Sequence, residues 1–166
     1  MASAFQLASA LVTEWVSRAK ETLDDEGNPI TRDDSLDPVP LIINISDGEP
    51  TDNEADVRKY AKEIMEINCP DGNPLIFNIH LSANGGQEVC MPMDDKTLPV
   101  NDKMSRLLYE ISSSLPGSMV QAAKECGFPD AEAGAKTFMS NVTEVEKFVL
   151  FLNFGTKGTG GNQNIR

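Results

Sequence analysis

PLIINI (residues 40–45) runs without interruption into SDGEPTD (residues 46–52), and this junction decides the fold. A short apolar, β-branched run bounded by Pro40 and Ser46 fits a strand buried on both faces, as strands of a parallel sheet are. The polar segment after it supplies turn residues, and Thr51 or Asp52 can cap a helix through about residue 67, where Val57, Tyr60, Ala61 and Ile64 keep helical spacing.

The pattern then repeats towards the C-terminus. CPDGNP (residues 69–74) is a turn cluster and LIFNIHL (residues 75–81) a second buried strand. A Gly- and Met-containing loop over residues 82–101 leads to Asp102, which caps a helix with Met104, Leu107, Leu108 and Ile111 inward. Pro116 opens another helix through Lys124, ended at Gly127. Residues 136–140 read as a short third strand, and Asn141 as the cap of a last helix whose Val142, Val145, Phe148, Val149 and Leu152 form the buried stripe. Before the junction, residues 2–22 place Phe5, Ala8, Leu11, Val12, Trp15, Val16 and Ala19 on one helical face, and residues 24–38 read as a long acidic surface loop.

Strands alternating with helices predict a three-layer, doubly wound, Rossmann-like α/β domain with a mostly parallel sheet. One domain over residues 1–155 is expected, followed by a flexible tail over residues 156–166. Such sheets bind ligands at the C-terminal ends of their strands, so residues 46–52 are the place to look for function.

Composition narrows the partners. With 26 acidic against 14 basic residues the chain carries a net charge of −12, which repels phosphate backbones and anionic lipids. Nucleic acid and membrane are therefore poor partners, while a divalent cation or a basic protein surface is compatible. The first basic residue is Arg18, so residues 1–20 lack the positive start of a secretion signal, and a cytoplasmic location is expected. Cys69, Cys90 and Cys126 are odd in number, form no CxxC pair and have one histidine, His80, for company, which argues against a disulfide framework or a zinc site.

PLIINISDGEPTD resembles the strand and metal-loop segment of von Willebrand factor type A domains, and further landmarks arrive in order. They are LIFNIHL as the next strand, LLYEISSSLP (residues 107–116) as helix and turn, AGAKTFMSN (residues 133–141) as the last strand and VEKFVLFLNFGT (residues 145–156) as the closing helix. The set is most similar to bacterial intracellular members associated with tellurium resistance. The resemblance implies a metal-ion-dependent adhesion site, in which Mg²⁺ or Mn²⁺ is held by an Asp-x-Ser-x-Ser loop, a Thr and a final Asp. Asp47, between Ser46 and Gly48, stands where that Asp belongs, and Glu49, Thr51 and Asp52 complete the implied binding loop.

The Asp-x-Ser-x-Ser loop is absent, and MASAFQLASALV (residues 1–12) resembles the helix that follows the family's Thr loop. The chain thus reads as the C-terminal part of the domain without its first strands, and a gene start assigned too late is the favoured explanation. Its metal site would be incomplete, with weak or no binding in this chain alone, because Mg²⁺ needs several fixed oxygen ligands. The family's strand order would also leave the edge of residues 40–45 open to a partner or to self-association.

Other motifs have simpler readings. Ser46-Asp47-Gly48 is also an ordinary turn. His80 lies in a strand without an acidic or cysteine partner nearby in sequence, which fits a structural histidine; the three thiols read as inert, and Ser112-Ser113-Ser114 as a helix-ending turn. Two functions follow: a protein-interaction module of the adhesion type, not an enzyme, or alternatively a metal-assisted phosphohydrolase, for which Asp47, Glu49 and Asp52 would be the available carboxylates.

Overall fold

The computed structural model describes residues 1–18, 21–31, 37–47, 53–70, 72–81, 87–99, 101–142 and 145–158. Helix α1 (Ala2–Ser17) precedes a small hairpin of β1 (Glu21–Leu23) and β2 (Pro29–Thr31). The main sheet then builds through β3 (Leu41–Ser46), α2 (Glu54–Met65), β4 (Leu75–His80), β5 (Val89–Cys90), α3 (Lys103–Glu110), α4 (Val120–Glu125), β6 (Phe138–Ser140) and α5 (Val145–Gly158). Its order is β3-β4-β6-β5, with β3, β4 and β6 parallel and β5 antiparallel to β6.

Alternation along the strands sorts two cores. Leu75, Phe77, Ile79 and Met139 face α4 and α5, where Phe77 lies 5.3 Å from Phe151 and 5.4 Å from Phe154 between ring centroids. Ile76 and Phe138 face the other way, against Phe5, Val57, Ile64, Leu107 and Leu108 of α1, α2 and α3. The result is the expected three-layer α/β arrangement with a mostly parallel sheet. No described helix is long and apolar enough to cross a membrane.

Each residue of β4 is buried, as a central strand requires, whereas β3 is half-buried with Ile45 exposed. The expectation that residues 40–45 are buried on both faces is corrected accordingly. Among the described residues β4 is the one hydrogen-bonded neighbour of β3 in the sheet.

Several boundaries differ from the sequence reading. The first helix stops at Ser17, because Arg18 turns extended (ψ 146°) and pairs with Asp37 while stacking over Trp15. Residues 21–31, expected to finish that helix and begin a loop, form the hairpin. Asp24 accepts from the backbone amides of Glu26 and Asn28, and Gly27 supplies the positive φ of 85° that closes the turn. On α1, Phe5 and Val12 are buried, but Leu11 and Trp15 of the expected stripe are exposed, as is Leu7. The helix rests on the sheet side through one narrow line of residues.

Asn53, rather than Thr51 or Asp52, caps α2, its side chain accepting from Ala55 N at 3.0 Å. Val89 and Cys90, placed in a loop by sequence, extend the sheet, and β6 is limited to Phe138–Ser140. A 3₁₀ turn over Gly117–Met119 precedes α4, and Gly127 at φ 94° ends it as expected.

Asn141 is not the cap of α5: it has φ 55° and its side chain donates to Gln87 O at 3.1 Å. The stripe of α5 is also rotated. Phe151, Phe154 and Gly155 face the core, while Val145 and Val149 are 77% and 45% exposed. Two phenyl rings bury more apolar area than the valines, and glycine lets the helix close on Leu41 and Phe77. The helix continues to Gly158, three residues into the expected tail.

Candidate functional site

The face of the sheet beneath α3 carries a row of polar side chains at its C-terminal half. Strand register aligns Asn44 with Asn78, Ser46 with His80, and His80 with Ser140. Residues in register on neighbouring parallel strands point to the same face, so three strands contribute one polar surface beside an otherwise apolar core.

Asn78, fully buried, is satisfied within this row. It accepts from Asn44 Nδ2 at 2.8 Å and donates to Leu108 O at 3.1 Å and Ser112 Oγ at 2.9 Å. A buried amide bonded on both ends fixes α3 on the sheet. It accounts for Ser112, whose neighbour Ser113 likewise binds the sheet by accepting from Ile76 N at 2.9 Å. The turn reading of these serines fits, since α3 ends at Glu110.

His80 ends β4 and is 5% exposed; its Nδ1 lies 2.8 Å from Ser105 Oγ. Ser105 Oγ in turn donates to Asp102 Oδ2 at 2.7 Å, and Asp102 Oδ1 accepts from Ser105 N at 2.9 Å. Because the serine proton goes to the carboxylate, its oxygen accepts from His80 Nδ1–H, leaving the lone pair of the neutral imidazole on Nε2. Burial holds the His80 pKa below its ordinary value, against the opposing charge of Asp102 at 3.7 Å. Burial would raise the Asp102 carboxyl, but the hydrogen bonds from Ser105 and the nearness of His80 outweigh it and leave it lowered.

This order, Asp102 to Ser105 to His80, is not a nucleophile and base. A hydroxyl that already donates to a carboxylate is not deprotonated by the imidazole, and Ser105 is fully buried. His80 is bonded through Nδ1 to Ser105, and α3 brings it an acidic neighbour from 22 residues away, which its sequence setting did not show. Asp102 was legible as a helix cap; that its cap also reaches His80 through Ser105 was not.

Ser140 and Asn141, read from sequence as a strand end and a helix cap, lie at the end of β6. Ser140 is fully buried and Asn141 is 7% exposed, yet among the described residues Ser140 Oγ and Asn141 Oδ1 have no hydrogen-bond partner. The backbone of Asn141 donates to His80 O at 3.3 Å, tying the two strand ends together.

Of the residues implied by the metal-loop resemblance, Ser46 is half-buried at the end of β3 and Asp47 is exposed just beyond it. Gly48, Glu49, Thr51 and Asp52 lie outside the described residues. The described neighbours of Ser46 and Asp47 do not fit a Mg²⁺ cage. The strand beside Ser46 presents the imidazole of His80, and the hydroxyl of Ser140 is two strand spacings away, roughly 10 Å, whereas one Mg²⁺ holds oxygens at about 2.1 Å. Among the described residues no group of three or more His, Cys, Asp or Glu side chains is placed to hold a metal.

Cys69, Cys90 and Cys126 are free. Burial, reinforced by the charge of Glu88, pushes the Cys90 thiol up to about 12, and burial also raises Cys69. Compared with protein-family models, curated proteins and solved structures, the chain matches none.

Proposed function

We propose that this chain is a protein-interaction module, built as the C-terminal part of a von Willebrand factor A-type domain, which takes an extended segment of a partner along β3. The observation that carries this reading is the outer edge of β3, beside which no strand lies among the described residues. Leu75 N donates to Pro40 O at 3.0 Å and Leu81 N to Ser46 O at 2.8 Å, so the even-numbered residues of β3 bond inward to β4. By the alternation of a parallel ladder, the backbone amides and carbonyls of Leu41, Ile43 and Ile45 point to the open side. Such an edge pairs readily with another strand.

The surroundings support the same reading. Leu11, Trp15, Pro38 and Leu41 line a cleft of about 310 Å³ beside the start of β3, and the exposed Leu7 continues this apolar surface along α1. With a net charge of −12, the suitable partner segment alternates apolar residues with basic ones. A carboxylate captured through Mg²⁺, the mode implied by the family resemblance, draws less support because the described ligands around Asp47 do not fit the ion.

The reading is tested by selecting peptides from a displayed library on the full chain and on Ile43→Pro. Proline at position 43 removes an outward amide and leaves the β4 ladder intact. Enrichment of alternating apolar and basic peptides on the wild type, lost on the variant at unchanged stability, is expected. Equal enrichment on both, or none on either, would count against the β3 edge as the binding surface.

A further inference from the structure

From the cleft between α3 and the start of β6 we infer a small-molecule site for a monocarboxylate with a flat apolar body, its carboxylate on Lys136 and its body against the ring of Tyr109. The cleft lies at the opposite end of the sheet from Asp47, and β4 separates it from the β3 edge, so the inference is independent of the docking proposed there.

Arg106, Tyr109 and Glu110 share one face of α3, and with Asp95 and Lys136 they line a cleft of about 360 Å³. Small-molecule clefts span roughly 300–1,000 Å³, so the space suits a compact guest. Its walls are held in place. Arg106 Nη1 donates to Asp95 Oδ2 at 3.1 Å, Arg58 Nε donates to Glu110 Oε2 at 2.9 Å, and the Tyr109 ring meets Phe138 of the sheet edge-on at 6.2 Å between centroids.

The charges select the guest. Asp95 and Glu110 are each matched by an arginine. Lys136 instead donates to Ser112 O at 2.8 Å and stands 5.8 Å from the centre of the Tyr109 ring; among the described residues no carboxylate lies at ion-pair distance from it. Burial pulls its ammonium below the ordinary lysine range, with Glu110 opposing, so an anion placed beside it restores part of what burial removes. The Tyr109 phenol is pushed up by burial and by the charges of Asp95 and Asp94, and stays neutral. A phosphate dianion would meet Asp94, Asp95 and Glu110 around the same cleft in a chain of net charge −12, which disfavours it. A monocarboxylate answers the one ammonium, and a planar body stacks on the ring.

The test is titration of the ¹³C,¹⁵N-labelled full chain with sodium benzoate at fixed ionic strength, beside benzamide, sodium acetate and sodium phosphate. Saturable amide shifts centred on Tyr109, Glu110 and Lys136 are expected with benzoate. Benzamide, which lacks the charge, and acetate, which lacks the ring, should bind at least tenfold more weakly. Lys136→Met should weaken benzoate at least tenfold, and Tyr109→Leu should weaken benzoate but not acetate, with urea midpoints showing that both variants fold. In the wild type the Lys136 ¹³Cε resonance should titrate with the same dissociation constant as the amides, a readout that needs no variant. No saturable shift, equal affinity for benzamide, tighter binding of phosphate than of benzoate, or an unmoved Lys136 ¹³Cε resonance would overturn the proposal. So would unchanged benzoate affinity in Lys136→Met.

Discussion

Asn44 on β3 donates through Nδ2 to Asn78 Oδ1 on β4 at 2.8 Å, and Asn78 passes the connection on to Leu108 O and Ser112 Oγ. The edge strand, the central strand and the end of α3 are thereby linked through one buried amide. Replacing Asn78 with Ala removes three hydrogen bonds and opens a small cavity, and a loss of about 2–4 kcal/mol is expected. Asn44→Ala leaves Asn78 Oδ1 near a half-buried edge that water reaches, so about 1 kcal/mol is expected there. Urea unfolding of both variants gives the comparison; equal losses would show that Asn78 has no special place.

Acid should weaken the fold in two stages. His80 has a folded pKa below 6.5, so above pH 6.5 its contribution is complete, and it is lost as pH falls through the folded value. Asp102 is lowered from 3.8, so its share is lost at still lower pH. The urea midpoint should therefore begin to decline in the window just below pH 6.5 in the wild type and stay flatter in His80→Gln. A midpoint independent of pH in that window in the wild type would contradict this placement of His80.

The thiols should differ in reactivity. With its pKa pushed up to about 12, Cys90 carries almost no thiolate at pH 8, while Cys69 is raised by burial and half-exposed to solvent. Native protein treated with Ellman's reagent at pH 8 should release colour first from Cys69, and from Cys90 only on denaturation. Rapid native labelling of Cys90, located by peptide mass mapping, would refute the assignment.

Gly155→Ala should destabilise despite the better helix former. A Cβ there would lie 2.9 Å from Leu41 Cδ2 and 3.3 Å from the Phe77 ring. Leu41 can swing away, but Phe77 is held between Phe151 and Phe154. Overpacking of roughly 1–3 kcal/mol outweighs a helix-propensity gain of about 1 kcal/mol. Thermal unfolding decides it: a higher melting temperature would mean that the packing at α5 has room to spare.

Calorimetric titration with Mg²⁺ and with Mn²⁺ should give no micromolar isotherm, in the wild type or in Asp47→Ala. Exposed Asp47 and half-buried Ser46 offer too few fixed oxygens for an ion that dehydrates reluctantly. A micromolar isotherm abolished by Asp47→Ala would restore metal-dependent adhesion as the leading function.

Sequence by itself determined the alternation of strand and helix, because apolar runs such as LIFNIHL and caps such as Asp102 are local signals set by side-chain period and turn chemistry. It also marked Ser46 and Asp47 as the end of a strand, where ligands of parallel sheets gather. Which helical face is buried was decided only by packing: Phe151 and Phe154 win over Val145 and Val149 because Phe77 and Gly155 let them close on the sheet. The small antiparallel β5 and the hairpin before β3 depend on partners distant in sequence or on a turn held by Asp24, and were not visible as strands. The same holds for the polar row. His80, Ser105 and Asp102 meet because α3 crosses the end of β4, and Ser140 and Asn141 join them because register aligns β6 with β4, a relation that no local spacing encodes.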